Sequence, residues 1–314
     1  MEPESDYIKA YGRSLGFQAV GIVNAGPAQS MAFYEAWLAA GLHADMDYLV
    51  RHAKLKRNPV ELLRGVRSVI AVALNYNRPS PALAGMPRIA RYAQGRDYHK
   101  VLRGKLRSLV RQLTERHPEE SFRICVDSAP LLEREYAHRA GLGWFGKNTC
   151  LIDSRHGSWF VLGFLLTTME IESDAPSIGG CGTCRKCIDA CPTGAIIRYG
   201  ERWAVDSRRC ISYLTIEKRR EFTEVEAQMV GDWTFGCDIC QEVCPFNDSR
   251  ETQPLRGRDT TEPDFLVGAK WPTLVELARL GEQEWDELTR GSPVRRAGLA
   301  GLRRNARTNL ENVR

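Results

Sequence analysis

Apolar positions along the first 170 residues switch repeatedly between a helical and a strand period. Asp6 to Leu15 and Ser30 to Ala40 carry apolar residues at helical spacing, and a short strand, Ala19 to Val23, lies between them. The β-branched run Ser68 to Asn75 (SVIAVALN) has no polar alternation and predicts a strand buried on both faces. From Asp97 to His117, Val101, Leu102, Leu106, Leu109, Val110 and Leu113 recur at three- and four-residue steps, which predicts a helix with Asp97 as its cap. Phe122 to Val126 predicts another strand. Leu131 to Ala140 predicts a helix closed by Gly141. Thr149 to Ile152 and Ser158 to Thr168 suggest a hairpin around Arg155-His156-Gly157. The alternation gives an α+β class, with helices covering a sheet in an N-terminal α/β sandwich.

The pattern changes at Glu170 to Gly180, which is polar and contains Gly and Pro. This places boundaries near residues 175 and 250, hence domains 1–175, 176–250 and 251–314. The last predicts an irregular stretch from Glu251 to Glu262. Short helices at Thr273 to Leu280 and Glu282 to Leu288 follow, and a basic helix from Arg295 to Asn312. A chain of 314 residues accommodates two or three domains. No apolar stretch reaches the length of a membrane span. The start, Met1-Glu-Pro-Glu-Ser-Asp, lacks the basic-then-apolar pattern of an export signal and has no twin arginine, so a cytoplasmic protein is expected. The net charge of +5 is unevenly placed. Residues 290–314 hold seven arginines against Glu311, a net +6, and the rest of the chain is near −1. Such an end suits phosphate backbone; a solvated helix face is the plainer reading.

Cysteine spacing changes the picture most. Eight of the ten cysteines form two blocks. One is Cys181-x2-Cys184-x2-Cys187-x3-Cys191-Pro192. The other is Cys210, then Cys237-x2-Cys240-x3-Cys244-Pro245. In such blocks three closely spaced thiolates wrap one [4Fe–4S] cluster, and the cysteine before proline reaches the other cluster. Cys181, Cys184, Cys187 and Cys244 are therefore expected on one cluster, and Cys191, Cys210, Cys237 and Cys240 on the second. The 26 residues between Cys210 and Cys237 must lie near the second cluster and can form a wall against another partner. Structural zinc is the competing reading of the C-x2-C pairs. A disulfide framework fits neither the length of the chain nor the confinement of its cysteines. Cys125 and Cys150 stand outside the blocks and read as buried apolar thiols. The six histidines show no metal-ligand spacing.

Three polar constellations precede the cysteines. Arg57-Asn58-Pro59 lies before the buried strand, and its arginine serves equally as a surface ion pair. Asp127 ends the strand Arg123 to Val126, where it is either an active-site carboxylate or the cap of the next helix. Gly141-Leu-Gly-Trp-Phe-Gly-Lys147-Asn148 is either a ligand-approach loop or a tight connection.

These stretches, with Arg91-Tyr-Ala-Gln-Gly-Arg-Asp97-Tyr98-His99, Val126-Asp127-Ser128-Ala-Pro, Glu133-Arg134-Glu135-Tyr-Ala-His-Arg-Ala140 and Cys210-Ile-Ser212-Tyr213-Leu-Thr215, together resemble the epoxyqueuosine reductase family over roughly residues 5–250. The resemblance implies reduction of the epoxide of epoxyqueuosine at the tRNA wobble position. It implies a base-off cobalamin fed by the two clusters, an external low-potential reductant such as a ferredoxin or flavodoxin, and a monomer. Asp127 matches the family's proton donor, and the role implies a raised pKa. Arg57, Asp127, Ser212 and, least directly, Asp238 match positions at the cobalamin. Longer relatives end in HEAT-like repeats; here Val294 to Ala306 resembles one unit, which must dock on the preceding domain or be partly disordered. Two other functions share these features: a cytoplasmic corrinoid reductive dehalogenase, and a two-cluster electron carrier.

Overall fold

The computed structural model describes residues 3–249, 252–268 and 270–312. Its centre is a four-stranded antiparallel sheet in the order Ala19–Asn24, Ser68–Asn75, Phe160–Thr167, Phe122–Cys125. Ser68–Asn75 is central, with Ala73 opposite Ala19 on one side and Asn75 opposite Phe160 on the other. Its unbroken apolar run follows from burial on both faces. Ile70, Val72 and Leu74 point into one core with Ile8 and with Leu102, Leu106 and Leu109 of the helix Tyr98–Arg116. Val69, Ala71 and Ala73 point the other way, toward Tyr136, Ala137 and Ala140 around the helix Glu133–Arg139. The result is a sheet with helices on both faces. Gly21 marks the tightest contact: a Cβ there would lie 1.9 Å from the Ala140 carbonyl oxygen.

The helix cap at Asp97 forms as the sequence indicates, its carboxylate accepting from the His99 backbone N–H. The hairpin expected between 149–152 and 158–168 does not form. Leu151–Ile152 pairs instead with Trp144–Phe145, and Phe160–Thr167 enters the central sheet. Only a bridge between Asp153 and Gly157 joins the two segments. The physical reason is burial: Phe164, Leu165 and Leu166 are fully enclosed between two other strands, which a two-stranded hairpin cannot provide.

The segment between Cys210 and Cys237 is not a free excursion. It forms the helix Ile211–Ile216, the helix Glu224–Val230 and the strand Trp233–Phe235. That strand runs parallel to Arg88–Ile89 of the N-terminal half. The helix Gly298–Asn312 closes it from behind. Asn305 donates to the Thr215 and Thr234 carbonyls, and Asn309 to those of Gly231 and Trp233. The expected docking of the C-terminal unit is therefore present. No helix among the described residues is long and apolar enough to cross a membrane.

Candidate active site

The block cysteines lie near one another in groups: Cys187 among Cys181, Cys184 and Cys244, and Cys237 near Cys210 and Cys191. The thiol of Cys187 is pushed up to about 11, first by burial and then by Cys181, Cys244 and Cys184. Cys237 is pushed up to about 12 by burial, with Cys210 and Cys191 among its charged neighbours. Cys240 is raised by contact with Cys150 and feels Cys237 and Cys210. The first set lines a cavity with Lys147, Asn148, Ile152 and Phe246. Among the described residues no three His, Cys, Asp or Glu side chains converge closely enough for a single metal ion. A loop of three cysteines completed by the cysteine before proline of the other block is the donor set of a four-iron cluster. Of the two remaining cysteines, Cys125 is wholly buried in the apolar core, as expected. Cys150 is not an isolated apolar thiol: it hydrogen-bonds Cys240.

The glycine-rich loop is a tight connection with a specific task. A Cβ on Gly143 would come within 2.5 Å of the Ile152 carbonyl oxygen, so that glycine is required by the protein's own packing, whereas one on Gly146 would press mainly on the ends of the Asn148 and Ile152 side chains. Lys147 Nζ then donates to the Gly182 and Cys184 carbonyls at 2.7 and 2.8 Å, and Asn148 Nδ2 to the Cys240 carbonyl at 3.3 Å. One short segment of the N-terminal half thus ties down both cysteine loops.

Asp127 follows the strand Phe122–Cys125 in left-handed backbone, with φ +50°. Such a conformation is uncommon for a residue with a side chain and recurs at functional sites. It is not a helix cap: the helix Glu133–Arg139 begins two residues later than the sequence suggests and has no side-chain cap. Instead the Asp127 backbone N–H donates to Glu133 Oε1 at 2.6 Å. The Asp127 side chain keeps 59% of its surface exposed, and its Oδ2 lies 3.1 Å from His99 Nε2. His99 Nδ1 is in turn 2.7 Å from Asp97 Oδ1. The imidazole therefore bridges two carboxylates.

This arrangement corrects one expectation. Burial pushes the Asp127 carboxyl up, but the hydrogen bond and charge of His99 outweigh it and hold the group below the usual carboxylate range. The mobile protons sit beside it. Burial alone would lower His99, yet its bonds to Asp127 and Asp97 raise it to about 9. Burial, reinforced by the Asp127 charge, raises Glu133 to about 8. Lys56 is lowered by burial. Neither His99 nor Glu133 was singled out in the sequence as a candidate for chemistry. The signal that could have found them is the spacing Asp97-x-His99, which puts a carboxylate and an imidazole on one helical turn.

The other candidate positions are placed as follows. Arg57 forms an exposed ion pair with Glu35. Ser212 is half-buried in the first turn of the helix that starts beside Cys210. Asp238 is 2% exposed, and its carboxylate accepts from the Arg91 backbone N–H at 2.7 Å. Burial raises it to about 7. Tyr92 is half-buried, packs near Phe235 and Cys237, and feels the charges of both Asp127 and Asp238.

Residues 56–128 match the family described as epoxyqueuosine reductase QueG, DUF1730. Residues 180–247 match the 4Fe-4S double cluster binding domain. An epoxyqueuosine reductase of Gloeobacter violaceus is 43% identical over 99% of this chain and 97% of its own. One of Escherichia coli is 41% identical over 98% of this chain and 80% of its own. The chain belongs to the epoxyqueuosine reductase family. It is accordingly an oxidoreductase, and its double-cluster domain provides for two [4Fe–4S] clusters. The crystal structure of an epoxyqueuosine reductase with an epoxyqueuosine-modified tRNA-Tyr stem loop superposes with a TM-score of 0.85 at 28% identity, covering 98% of this chain and 80% of that one. The enzyme from Streptococcus thermophilus superposes at 0.81 with 27% identity. Family membership sets aside the electron-carrier reading.

Proposed function

We propose that this chain reduces the epoxide of epoxyqueuosine at the tRNA wobble position to give queuosine. The observation that carries the reading is the Asp97–His99–Asp127 chain, with Glu133 beside it and the Asp127 side chain facing outward. The reaction replaces a C–O–C bridge by a C=C bond and consumes two electrons and two protons, with oxygen leaving as water.

A base-off cobalamin would lie against the exposed side of Asp127, where Tyr48, Tyr92 and Tyr98 feel its charge. When bound, cobalamin and the two clusters would supply the electrons, drawn from an external reductant of low potential. Ser212, beside Cys210, is the candidate position best placed to meet it. Arg57 and Asp238 are engaged with Glu35 and the Arg91 backbone, which suits a supporting role at its rim.

The protein's own residues handle the protons. Asp127 faces outward and delivers a proton to the developing alkoxide. An alkoxide is a poor leaving group, so a placed acid is worth roughly 10²–10⁴ in rate. Because His99 keeps Asp127 ionised at rest, the proton reaches Asp127 from the imidazolium as substrate and product charges change. Asp97 accepts from Nδ1–H and so orients the ring with Nε2–H toward Asp127. The second proton is available from Glu133 through the same cluster of groups.

The test is an anaerobic assay of the cluster-loaded protein with cobalamin, a strong reductant and an epoxyqueuosine-containing anticodon stem-loop. Loss of one oxygen from the nucleoside, followed by mass, is expected. Asp127→Asn should lower turnover by roughly 10²–10⁴ without changing iron content. Full turnover by that variant would remove Asp127 as the donor. Turnover of a haloarene with none on RNA would move the substrate to organohalides.

A further inference from the structure

The arginines of residues 290–312 have partners within the protein, although Arg290, Arg296 and Arg307 keep more than half of their side-chain surface exposed. Arg290 and Arg295 pair with Asp286, and Arg296 with Glu217. Arg303 donates to the Leu280 carbonyl, and Arg307 pairs with Glu221. Arg304 is 3% exposed and holds the carbonyls of Leu214, Lys218 and Arg220. Those partners offset part of the positive charge of that segment, so the stronger candidate for an RNA-binding surface is one whose cations have no partner.

The helix Tyr98–Arg116 supplies one. Its apolar stripe, Val101, Leu102, Leu106, Leu109 and Leu113, faces the sheet. At 100° per residue, Lys100, Arg103, Arg107 and Arg111 fall on the opposite, outward side. The side chains of Lys100, Arg107 and Arg111 form no hydrogen bond or ion pair among the described residues. Arg103 Nη2 donates to Ser128 Oγ at 3.2 Å, next to Asp127. The nearest acid along the face, Glu115, is engaged by Gln112.

A second observation is independent of charge. Gly104 lies in the middle of this stripe, and a Cβ there would meet nothing within 4 Å. Glycine is among the poorest residues for a helix interior. Nothing inside the protein requires it here, unlike Gly21 or Gly143. A groove of about 530 Å³ runs over it, walled by Lys100, Arg103 and Arg107 on one side. On the other side Glu262 and Asp264 are neutralised by Lys105 and Arg96. A bare backbone flanked by unpaired cations is a surface that a phosphodiester strand can approach closely.

We propose that this outward face is the track for the phosphate backbone of the anticodon stem, with Gly104 as the point of closest approach. The inference rests on the tRNA reading above. The geometry joins the track to the reaction site. Arg103 is one turn from His99, and Arg111 lies about 12 Å further along the axis. A strand leaving Asp127 follows the helix away from it.

The test uses an unmodified anticodon stem-loop and fluorescence anisotropy across a salt series, with cluster-loaded protein and no cobalamin. Each phosphate contact contributes roughly 0.7–0.9 to the slope of log affinity against log salt. The double variant Arg107→Gln, Arg111→Gln should therefore flatten the slope by about 1.4–1.8 and bind roughly tenfold or more weakly at low salt. Gly104→Ala should melt at a higher temperature, and Gly104→Tyr should lose RNA affinity while melting no lower than wild type. If wild type binds the stem-loop and the arginine variant keeps its slope, the track is elsewhere and the substrate reading stands. If wild type binds no stem-loop, the substrate reading fails and the track fails with it.

Discussion

Replacing Asp127 by Asn removes one of the two carboxylates that hold the His99 ring and leaves the other, Asp97, in place. The ring stands at about 9, against an ordinary value of 6.5, with its side chain 25% exposed. That difference corresponds to about 3 kcal/mol of preference for the imidazolium, shared between two partners. At pH 7 roughly 99% of the rings are protonated. An opposite charge within hydrogen-bond distance is worth about 1–3 pKa units, so Asp127→Asn should bring the His99 midpoint down by about 1–1.5 units. The assay is an NMR titration of protein carrying ¹³C-labelled histidine, under anaerobic conditions. The His99 resonance, identified by its loss in His99→Gln, is followed from pH 5.5 to 10. A wild-type midpoint near 6.5 would refute the account of Asp127 as a carboxylate held by an imidazolium. So would a midpoint unmoved by the substitution. The readout needs neither cobalamin nor RNA.

The same pair predicts how stability depends on pH. The folded pKa of His99, about 9, lies above its free value, so its stabilisation is complete below about 6.5 and is lost as pH rises through 9. Glu133, raised to about 8 from 4.5, has the same sign: its contribution is complete below about 4.5 and is lost as pH rises through 8. Thermal stability should therefore fall between pH 6.5 and 9, and calorimetry should show a shallower fall for Asp127→Asn. Arg304→Met removes the donor to three carbonyls, of which that of Leu214 is buried, and should cost about 1–3 kcal/mol, read as a lowered midpoint in urea; an unchanged midpoint would mean that the terminal helix is held by its apolar face alone. Cys244→Ser should reduce bound iron from about eight to about four per chain, because Cys244 gathers with Cys181, Cys184 and Cys187 and not with its neighbours in sequence. Loss of all iron, or of none, would contradict that grouping.

The sheet and its covering helices were legible because burial writes itself into periodicity. Ser68–Asn75 could be read to the residue, since a strand enclosed on both faces leaves no polar position. The hairpin around Gly157 was misread because local turn chemistry says nothing about which distant strand a segment will join. The grouping of the cysteines was legible for a covalent reason: ligand spacing is a property of the loop itself. The proton chemistry was only half visible. Asp127 stood out by its place at a strand end, but its ionisation depends on His99, which is 28 residues earlier and belongs to another element. The arginine-rich end was the least legible feature. Charge counts cannot show that Arg304 points inward onto carbonyls or that Arg296 meets Glu217.

Lys147 and Asn148 have a consequence for rate as well as for folding. They belong to one short stretch, yet they grip the loops of both cysteine sets. Any displacement of that stretch carries the two inorganic centres together, so the gap between them stays constant while the surrounding domains breathe. Electron tunnelling decays steeply with distance. A common anchor therefore acts as a spacer of fixed length, and makes the internal transfer insensitive to movements of the parts around it.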